Sequence, residues 1–337
     1  MNTSKSILIT GGAGFIGSYL VKRLLRNYPE YSVFNLDSLT YASNLNNLKI
    51  CELFPNYNFL KGDIRDFKFL KELFKSNNFD TVIHLAAESH VDNSIKNPFP
   101  FALTNVQGTL NLLEASRMRW GKNPEDKLFY HISTDEVFGT LGEKGKFTEK
   151  SCYDPRSPYS ASKSASDHLV RAYYHTYKLP ILLSNCSNNY GPAQHFEKLI
   201  PLMIQNIENK KPLPIYGKGK NIRDWLHVHD HAECLFEIAY KGKIGEKYNI
   251  GAENEIQNIN IVKKICKILD KKFMPKKSYL ELISFIEDRP GHDLKYSINP
   301  SKVNKNLSWY PKINFNEGLF NTVEWYIKNE KWWKKLI

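Results

Sequence analysis

Seven residues near the start restrict the fold more than anything else in the chain. Gly11-Gly-Ala-Gly14-Phe-Ile-Gly17 follows a strand-like run, Ile7-Leu-Ile-Thr10, and opens a helical pattern that reaches about Asn27. Strand, glycine turn and helix in that order gather backbone N–H groups and the positive end of a helix dipole at one point, which suits a dinucleotide pyrophosphate. The glycines permit a tight turn, close approach of backbone to ligand, and packing of helix on strand. Asp37 follows Gly17 by 20 residues, at the end of a second strand pattern over Ser32 to Leu36. A carboxylate there accepts from ribose hydroxyls and repels a 2′-phosphate, so the pattern favours NAD over NADP.

The chain beyond keeps the same rhythm. Apolar runs at Asn58–Leu60, Thr81–Ala87, Leu128–Ser133 and Ile181–Ser184 alternate with helical patterns over 66–76, 99–118 and 159–178. Buried strands alternating with helices predict an α/β fold, a Rossmann-type doubly wound parallel sheet covered on both faces. After about residue 190, prolines 192, 201, 212 and 214 and glycines 217 and 219 break the rhythm. A helix over 229–240, a strand at Tyr248–Ile250, a helix over 258–269, a lysine- and proline-rich linker and a final helix near 316–329 follow. This half reads as a smaller, mixed α/β C-terminal substrate domain. The expected division assigns 1–190 and about 225–250 to the dinucleotide-binding domain, and 191–224 and 251–337 to the substrate domain.

Composition removes several other classes. Across 337 residues, 42% are apolar and 13% aromatic, enough for a full core and too many for a disordered or fibrous chain. No apolar run reaches the roughly 18 residues of a membrane span, and Met1-Asn-Thr-Ser-Lys lacks the apolar core of a secretory signal. Cysteines 51, 152, 186, 234 and 266 are odd in number and form no close pair, which fits a reducing cytoplasm and no disulfide scaffold. The net charge of +12 could point to a polyanion, but 38 of the 47 basic residues are lysines, scattered rather than striped. Neither nucleic acid nor a membrane is expected as a partner. His227, His229 and His231 would share one side of a strand, and His84 and His90 add further imidazoles. No acidic or cysteine cluster accompanies them, so no metal is expected.

Chemistry concentrates in two places. Tyr159-Ser-Ala-Ser-Lys163 sets a phenol and an ammonium four residues apart, on one face of a helix. A nearby cation favours phenolate, so Tyr159 is expected to titrate closer to neutrality and act as a general base toward a hydroxyl. Thr134 stands 25 residues upstream, and Asp135 and Glu136 follow it directly at the end of a strand, where α/β enzymes place their sites. Two carboxyls can divide acid and base work if their environments pull their pKa values apart. Redox chemistry alone needs only tyrosine, lysine and NAD, so the extra pair points to a dehydration coupled to it.

These motifs resemble the extended short-chain dehydrogenases/reductases and, within them, the nucleoside-diphosphate-glucose 4,6-dehydratases, nearest to those acting on dTDP-glucose. The matching stretches are Ile9 to Gly17, Asp37 to Ala42, Gly62 to Asp66, His84 to Asp92, Ser133 to Gly139, Tyr159 to Lys163, Asn185 to Pro192, Glu197 to Pro201, Asn221 to Trp225 and Asp288 to Asp293. The resemblance implies a redox-neutral reaction that turns a nucleoside-diphosphate glucose, dTDP- or UDP-linked, into a 4-keto-6-deoxy sugar for deoxysugar biosynthesis. It implies catalytic roles for Thr134, Asp135, Glu136, Tyr159 and Lys163. Around NAD it implies Gly11, Gly14, Phe15, Ile16 and Gly17, then Asp37, Ser38, Leu39 and Thr40. Asp63, Ile64, Leu85, Ala86, Ala87, Ser89, Thr104 and Asn189 complete that set, with Tyr159 and Lys163. Substrate contacts map onto Ser89, Thr134, Asn188, Lys198 and Leu199, onto Pro214, Ile215, Tyr216, Arg223 and Asn258, and onto Asp288, Arg289, Pro290, Gly291 and His292. Only nine arginines occur in the chain, and guanidinium suits bidentate contact with diphosphate, which marks Arg223 and Arg289. A homodimer paired through the helices near 99–118 and 159–178 is implied as well.

Five positions depart from the family pattern. Asn93 and Lys295 stand where arginine is usual, His227 and His229 where tyrosine and glutamate are common, and Ala252 where a second glycine follows Gly251. None touches the proposed acid, base or tyrosine. Uracil and thymine differ by one methyl, so the nucleotide base stays open. The alternatives are a nucleotide-sugar 4-epimerase, which has no use for the Asp135–Glu136 pair, and a non-enzymatic NAD-binding regulator, which has no use for intact catalytic residues.

Overall fold

Alternating strands and helices form a seven-stranded parallel sheet in the computed structural model, which describes residues 5–121 and 124–333. Its strands are β1 (Ser6–Thr10), β2 (Ser32–Asp37), β3 (Tyr57–Lys61), β4 (Thr81–His84), β5 (Leu128–Thr134), β6 (Ile181–Cys186) and, after three others, β10 (Lys247–Ile250). The order across the sheet is β10-β6-β5-β4-β1-β2-β3. Strand order reverses between β1 and β4, and at that point a doubly wound sheet opens a crevice beyond its carboxyl ends. Thr10 pairs with Leu36 on one side and His84 on the other, so these ends lie level.

The helices α1 (Phe15–Asn27), α2 (Phe67–Ser76), α3 (Val91–Lys96), α4 (Phe99–Phe101), α5 (Gly108–Trp120) and α6 (Pro158–Tyr177) connect the first strands. Successive residues of β1 point to opposite faces. Ile7 and Ile9 enter one buried cluster with Leu20, Leu24 and Tyr130, while Leu8 enters the other with Val82, Leu112 and Phe129. All seven residues of β5 are buried, as a central strand covered on both faces requires. Burying one leucine side chain contributes about 1.5–3 kcal/mol, so these two clusters supply most of the drive to form the sheet.

The second lobe holds β7 (Asn188–Tyr190), β8 (Leu213–Tyr216), β9 (Ile222–His227), β11 (Glu255–Gln257) and β12 (Ile283–Ile286). They form a three-stranded sheet, β11-β9-β7, and a parallel pair, β12-β8. With them come α7 (Leu199–Glu208), α9 (Asn258–Phe273) and α11 (Phe315–Lys328), while α8 (Val228–Lys241) and α10 (Ser301–Leu307) pack on the first lobe. A third cluster, from Met203 and Ile204 through Ile261 and Ile265 to Leu319 and Tyr326, fills this lobe. Residues 226–250 run back to the first lobe, where Leu226, Leu235 and Tyr248 join the core that includes Ile7.

Three expectations from the sequence change. The apolar run Thr81–Ala87 leaves the sheet at His84, and residues 85–87 line a cavity instead. The helix read over 99–118 is interrupted by a π-helical segment, Ala102–Gln107. The linker after α9 contains β12, which pairs with β8 by setting Ile283 opposite Leu213. The three histidines do not share a strand either: His227 ends β9 and caps α8, and His229 and His231 lie on that helix. His231 Nδ1 sits 2.8 Å from Asn189 Oδ1, a structural pairing. Among the described residues, no three His, Cys, Asp or Glu side chains converge as metal ligands.

Candidate active site

A cavity of about 310 Å³ opens at the strand-order reversal and runs from the glycine turn to the ends of β5 and β6. The turn forms as the spacing demands. Gly11 takes φ +73°, and a Cβ there would fall 2.7 Å from the backbone of Ala86. At Gly17 a Cβ would lie 2.3 Å from the carbonyl oxygen of Gly11, so helix and strand touch backbone to backbone. Asp37, nearly buried, accepts from the backbone N–H of Ala13 at 2.9 Å and from Leu39 N and Ser43 Oγ at 2.8 Å each. Three bonds leave a carboxylate with spare acceptor capacity, which can meet ribose hydroxyls. Asn188 Oδ1, in the same cavity wall, has no partner among the described residues. An unpaired acceptor, a glycine turn at a helix N-terminus and a held carboxylate together suit a dinucleotide with free hydroxyl and amide donors.

The catalytic candidates meet at the far end. Thr134 ends β5 and caps a short 3₁₀ turn, Asp135–Phe138, by accepting from Glu136 N at 3.2 Å. Asn185 Nδ2 donates to the Thr134 carbonyl at 2.9 Å and fixes the strand end. The turn closes at Gly139, φ +79°, where any Cβ would strike the Asp154 carbonyl. Opposite, Ser157 and Ser160 form a capping box with Pro158 in the first turn, so α6 begins where it presents Tyr159 and Lys163 to the cavity. Lys163 Nζ donates to the Ile132 carbonyl at 2.9 Å and lies 3.4 Å from His131 Nε2. Behind it His131 faces Asp167 at 3.2 Å, and Tyr153 OH donates to Asp167 at 2.7 Å.

The two neighbouring carboxyls have different surroundings. Burial, reinforced by the charges of Glu136 and Asp224, holds the Asp135 pKa well above the ordinary carboxylate range. Burial also raises Glu136, but Arg289, Arg223 and Lys198 oppose that rise. Burial lowers Lys163 to about 8. Tyr159 departs from expectation: burial, and then the charge of Glu136, push its phenol well above 10, and the Thr134 hydroxyl offsets this only in part. The amine of Lys163 turns to a backbone carbonyl, so it does not offset the burial of the phenol.

Most of the residues named from sequence line this cavity. Gly11, Gly14, Phe15, Ile16, Gly17, Asp37, Ser38, Thr40, Asp63, Ile64, Leu85, Ala86, Ala87, Ser89 and Thr104 stand in its wall, and so do Thr134, Asp135, Glu136, Tyr159, Lys163, Asn188, Asn189 and Lys198. Leu39 is a correction. Its backbone N–H serves Asp37 while its side chain packs against the first core. Ile215 is 3% exposed inside the second-lobe core, and Leu199 packs against that core, so neither side chain reaches the cavity. Pro214, Tyr216, Arg223, Asn258 and Asp288 to His292 stand beyond the cavity wall in the second lobe. Arg223 is buried there, with its guanidinium 4.1 Å from the Tyr296 ring centroid and bonded to the Asp293 carbonyl at 3.1 Å.

The sequence reading missed Arg65, Glu88, His195 and Glu197, which also line the cavity. Arg65 forks onto Asp63, with Nη2 2.6 Å from Oδ2. Glu197 is pulled upward by burial but held below the ordinary range by Lys198, His90 and His195. Arg65, Glu88 and Glu197 lie inside stretches that carried the resemblance, which was the one available signal.

A sequence model of the family described as GDP-mannose 4,6 dehydratase matches residues 8–322. A probable dTDP-glucose 4,6-dehydratase of Sinorhizobium fredii is 52% identical over 334 residues, covering 98% of this chain and 95% of that protein. The crystal structure of a dTDP-glucose 4,6-dehydratase of Bacillus anthracis in complex with NAD superposes with a TM-score of 0.89 at 43% identity, over 99% of this chain and 100% of that one. That of Streptomyces venezuelae, with NAD and TYD bound, gives 0.92 at 41%, over 98% and 100%. Full-length likeness of this order, together with Asp135 and Glu136 standing beside Tyr159 and Lys163, places this chain in the nucleotide-sugar 4,6-dehydratase family, among the dTDP-glucose 4,6-dehydratases.

Proposed function

We propose that this protein converts a nucleoside-diphosphate glucose, dTDP- or UDP-linked, to its 4-keto-6-deoxy derivative with NAD held in the cavity. The observation that carries this reading is the unequal pair: a buried Asp135 flanked by Glu136 and Asp224, which push it well above the ordinary carboxylate range, and a Glu136 that burial also raises but whose charge three cations favour. Such a pair can give a proton and take one at the same pH.

The glycine turn and Asp37 hold the dinucleotide. NAD, when bound, supplies a hydride acceptor for carbon 4 of the sugar and a hydride donor for carbon 6. Thr134 and Tyr159 receive the 4-hydroxyl, and Tyr159 takes its proton as the ketone forms. Lys163, one helical turn from Tyr159, brings a positive charge to the same end of the cavity; its amine must leave the Ile132 carbonyl to favour phenolate. The new ketone acidifies the hydrogen at carbon 5, which Glu136 removes. Asp135 gives its proton to the departing 6-hydroxyl, which leaves as water. Glu136 then returns a proton to carbon 5 as carbon 6 regains the hydride that carbon 4 gave up, so no external reductant is consumed. Lys198, Arg223 and Arg289 carry the positive charge suited to a diphosphate. A 4-epimerase would need no acid–base pair of this kind.

Residues 191–224 and 251–337 are assigned to the nucleotide sugar, and residues 1–190 with about 225–250 to NAD. A homodimer paired through the helices near 99–118 and 159–178 fits the outer face of the first of these stretches, where Phe99 and Leu103 are 74% and 47% exposed. Five free cysteines suit a cytoplasmic enzyme, and among the described residues no helix is long and apolar enough to cross a membrane.

The test is incubation with dTDP-glucose, UDP-glucose and GDP-mannose in turn, without added reductant. Formation of the 4-keto-6-deoxy product from dTDP-glucose, UDP-glucose or both is expected. No product from either would overturn the reading, and formation of the galactose epimer would replace it with the epimerase.

A further inference from the structure

The segment that carries Arg289 meets the first lobe at two points. Gly291 takes φ +66°, and a Cβ on it would lie 2.8 Å from the Arg156 carbonyl, just ahead of α6. The second point is Asp92, in the first turn of α3 and three residues past Ser89 in the cavity wall. Tyr216 OH donates to Asp92 Oδ2 at 3.0 Å, and Arg289 Nη1 donates to Oδ1 at 3.3 Å. One carboxylate thus holds two side chains from different parts of the second lobe. Tyr216 ends β8 opposite Ile286 of β12, two residues before Asp288, and this pairing sets their spacing. The Arg289 guanidinium also lies 5.9 Å from the centroid of the Tyr216 ring. Asp288 anchors the segment from behind, accepting from Arg289 N at 2.8 Å and facing His292 Nδ1 at 2.6 Å.

We propose that Asp92 is a positioning residue for nucleotide-sugar binding: it clasps Arg289 and Tyr216 across the cleft, so that the guanidinium is already aimed when a diphosphate arrives. The proposal rests on the 4,6-dehydratase reading and names a residue outside its acid–base set. Asp92 occupies one N–H of the guanidinium, and the fork has five, so the remaining donors are free for phosphate oxygens. The pair is largely shielded, with side-chain exposures of 18% for Arg289 and 28% for Asp92, so screening by salt is incomplete. Without the carboxylate, a long side chain and its loop would have to be ordered at each binding event, which weakens affinity. The reacting atoms would be untouched.

Aspartate 92 is tested by Asp92→Ala and the isosteric Asp92→Asn, each read by steady-state kinetics, calorimetric binding of thymidine diphosphate, and cofactor content. Loss of a bridging carboxylate of this kind is expected to raise KM and the thymidine diphosphate Kd by about tenfold, with kcat within about twofold and NAD content unchanged. Adding Tyr216→Phe to Asp92→Ala should worsen KM by much less than it does alone, because both changes remove one clasp. Unchanged or tighter thymidine diphosphate binding in both Asp92 variants would overturn the proposal, as would a fall in kcat at constant KM. Where Asp92→Ala fails to fold, Asp92→Asn decides the matter. A wild-type protein that turns over no sugar nucleotide yet loses thymidine diphosphate affinity in the variants would sink the reaction reading and leave the clasp standing.

Discussion

At the scale of single residues, two carboxyls adjacent in the chain differ because their neighbours differ. Asp135 is buried next to Glu136 and Asp224, whereas Glu136 faces Arg289, Arg223 and Lys198. Glu136→Gln removes the base and keeps the shape, so NAD retention is expected with dehydration slowed by about 10²–10⁴-fold. Full activity in that variant, measured as 4-keto product, would take Glu136 out of this role. The pH profile follows from the same environments. Glu136 must be ionised and lies above the ordinary carboxylate value, so the acid limb falls at higher pH than for a free glutamate. Lys163 loses its charge as pH rises through about 8, so kcat/KM should decline on the alkaline side near there. A profile flat to pH 10 would count against a charged Lys163. The helical spacing of Tyr159 and Lys163 was legible because the α-helix period is fixed by the backbone. The upward push on Tyr159 was not, because burial and Glu136 come from distant segments.

At the scale of elements, the glycine turn is the part most tightly determined. A methyl at Gly17 would overlap both the Gly11 carbonyl and the Gly12 backbone. Gly17→Ala should cost about 1–3 kcal/mol of stability through overpacking and deplete bound NAD; unfolding midpoint and cofactor absorbance report the two effects. The 99–118 stretch shows the opposite case. Its apolar pattern reads as one helix, yet a π segment places Asn105 so that Oδ1 accepts from Glu88 N at 2.9 Å and Nδ2 donates to Ser162 Oγ at 2.8 Å. Such a bulge depends on partners from the loop after β4 and from α6, which no local pattern contains. β12 escaped notice for a related reason: Phe285 and Ile286 are exposed, so no alternation of buried and polar residues marks it.

At the scale of the whole molecule, Phe99 and Leu103 stay exposed among the described residues. A double change, Phe99→Asp with Leu103→Asp, should abolish the proposed homodimer in light scattering; a wild-type monomer would count against that proposal. The large sheet was readable because a buried parallel strand is apolar throughout and a glycine fingerprint tolerates few architectures. The second lobe was not, since its strands are only three to six residues long and pair across long separations, as Glu255 does with Asp224. The sequence by itself determined the doubly wound sheet and the dinucleotide turn, and marked Asp135, Glu136 and Tyr159 as candidates, because local geometry and residue chemistry sufficed for that. Only the tertiary structure decided how differently the two carboxyls are surrounded, and that Asp92 reaches across to Arg289. Burial and charge at those positions are assembled from residues far apart in the chain.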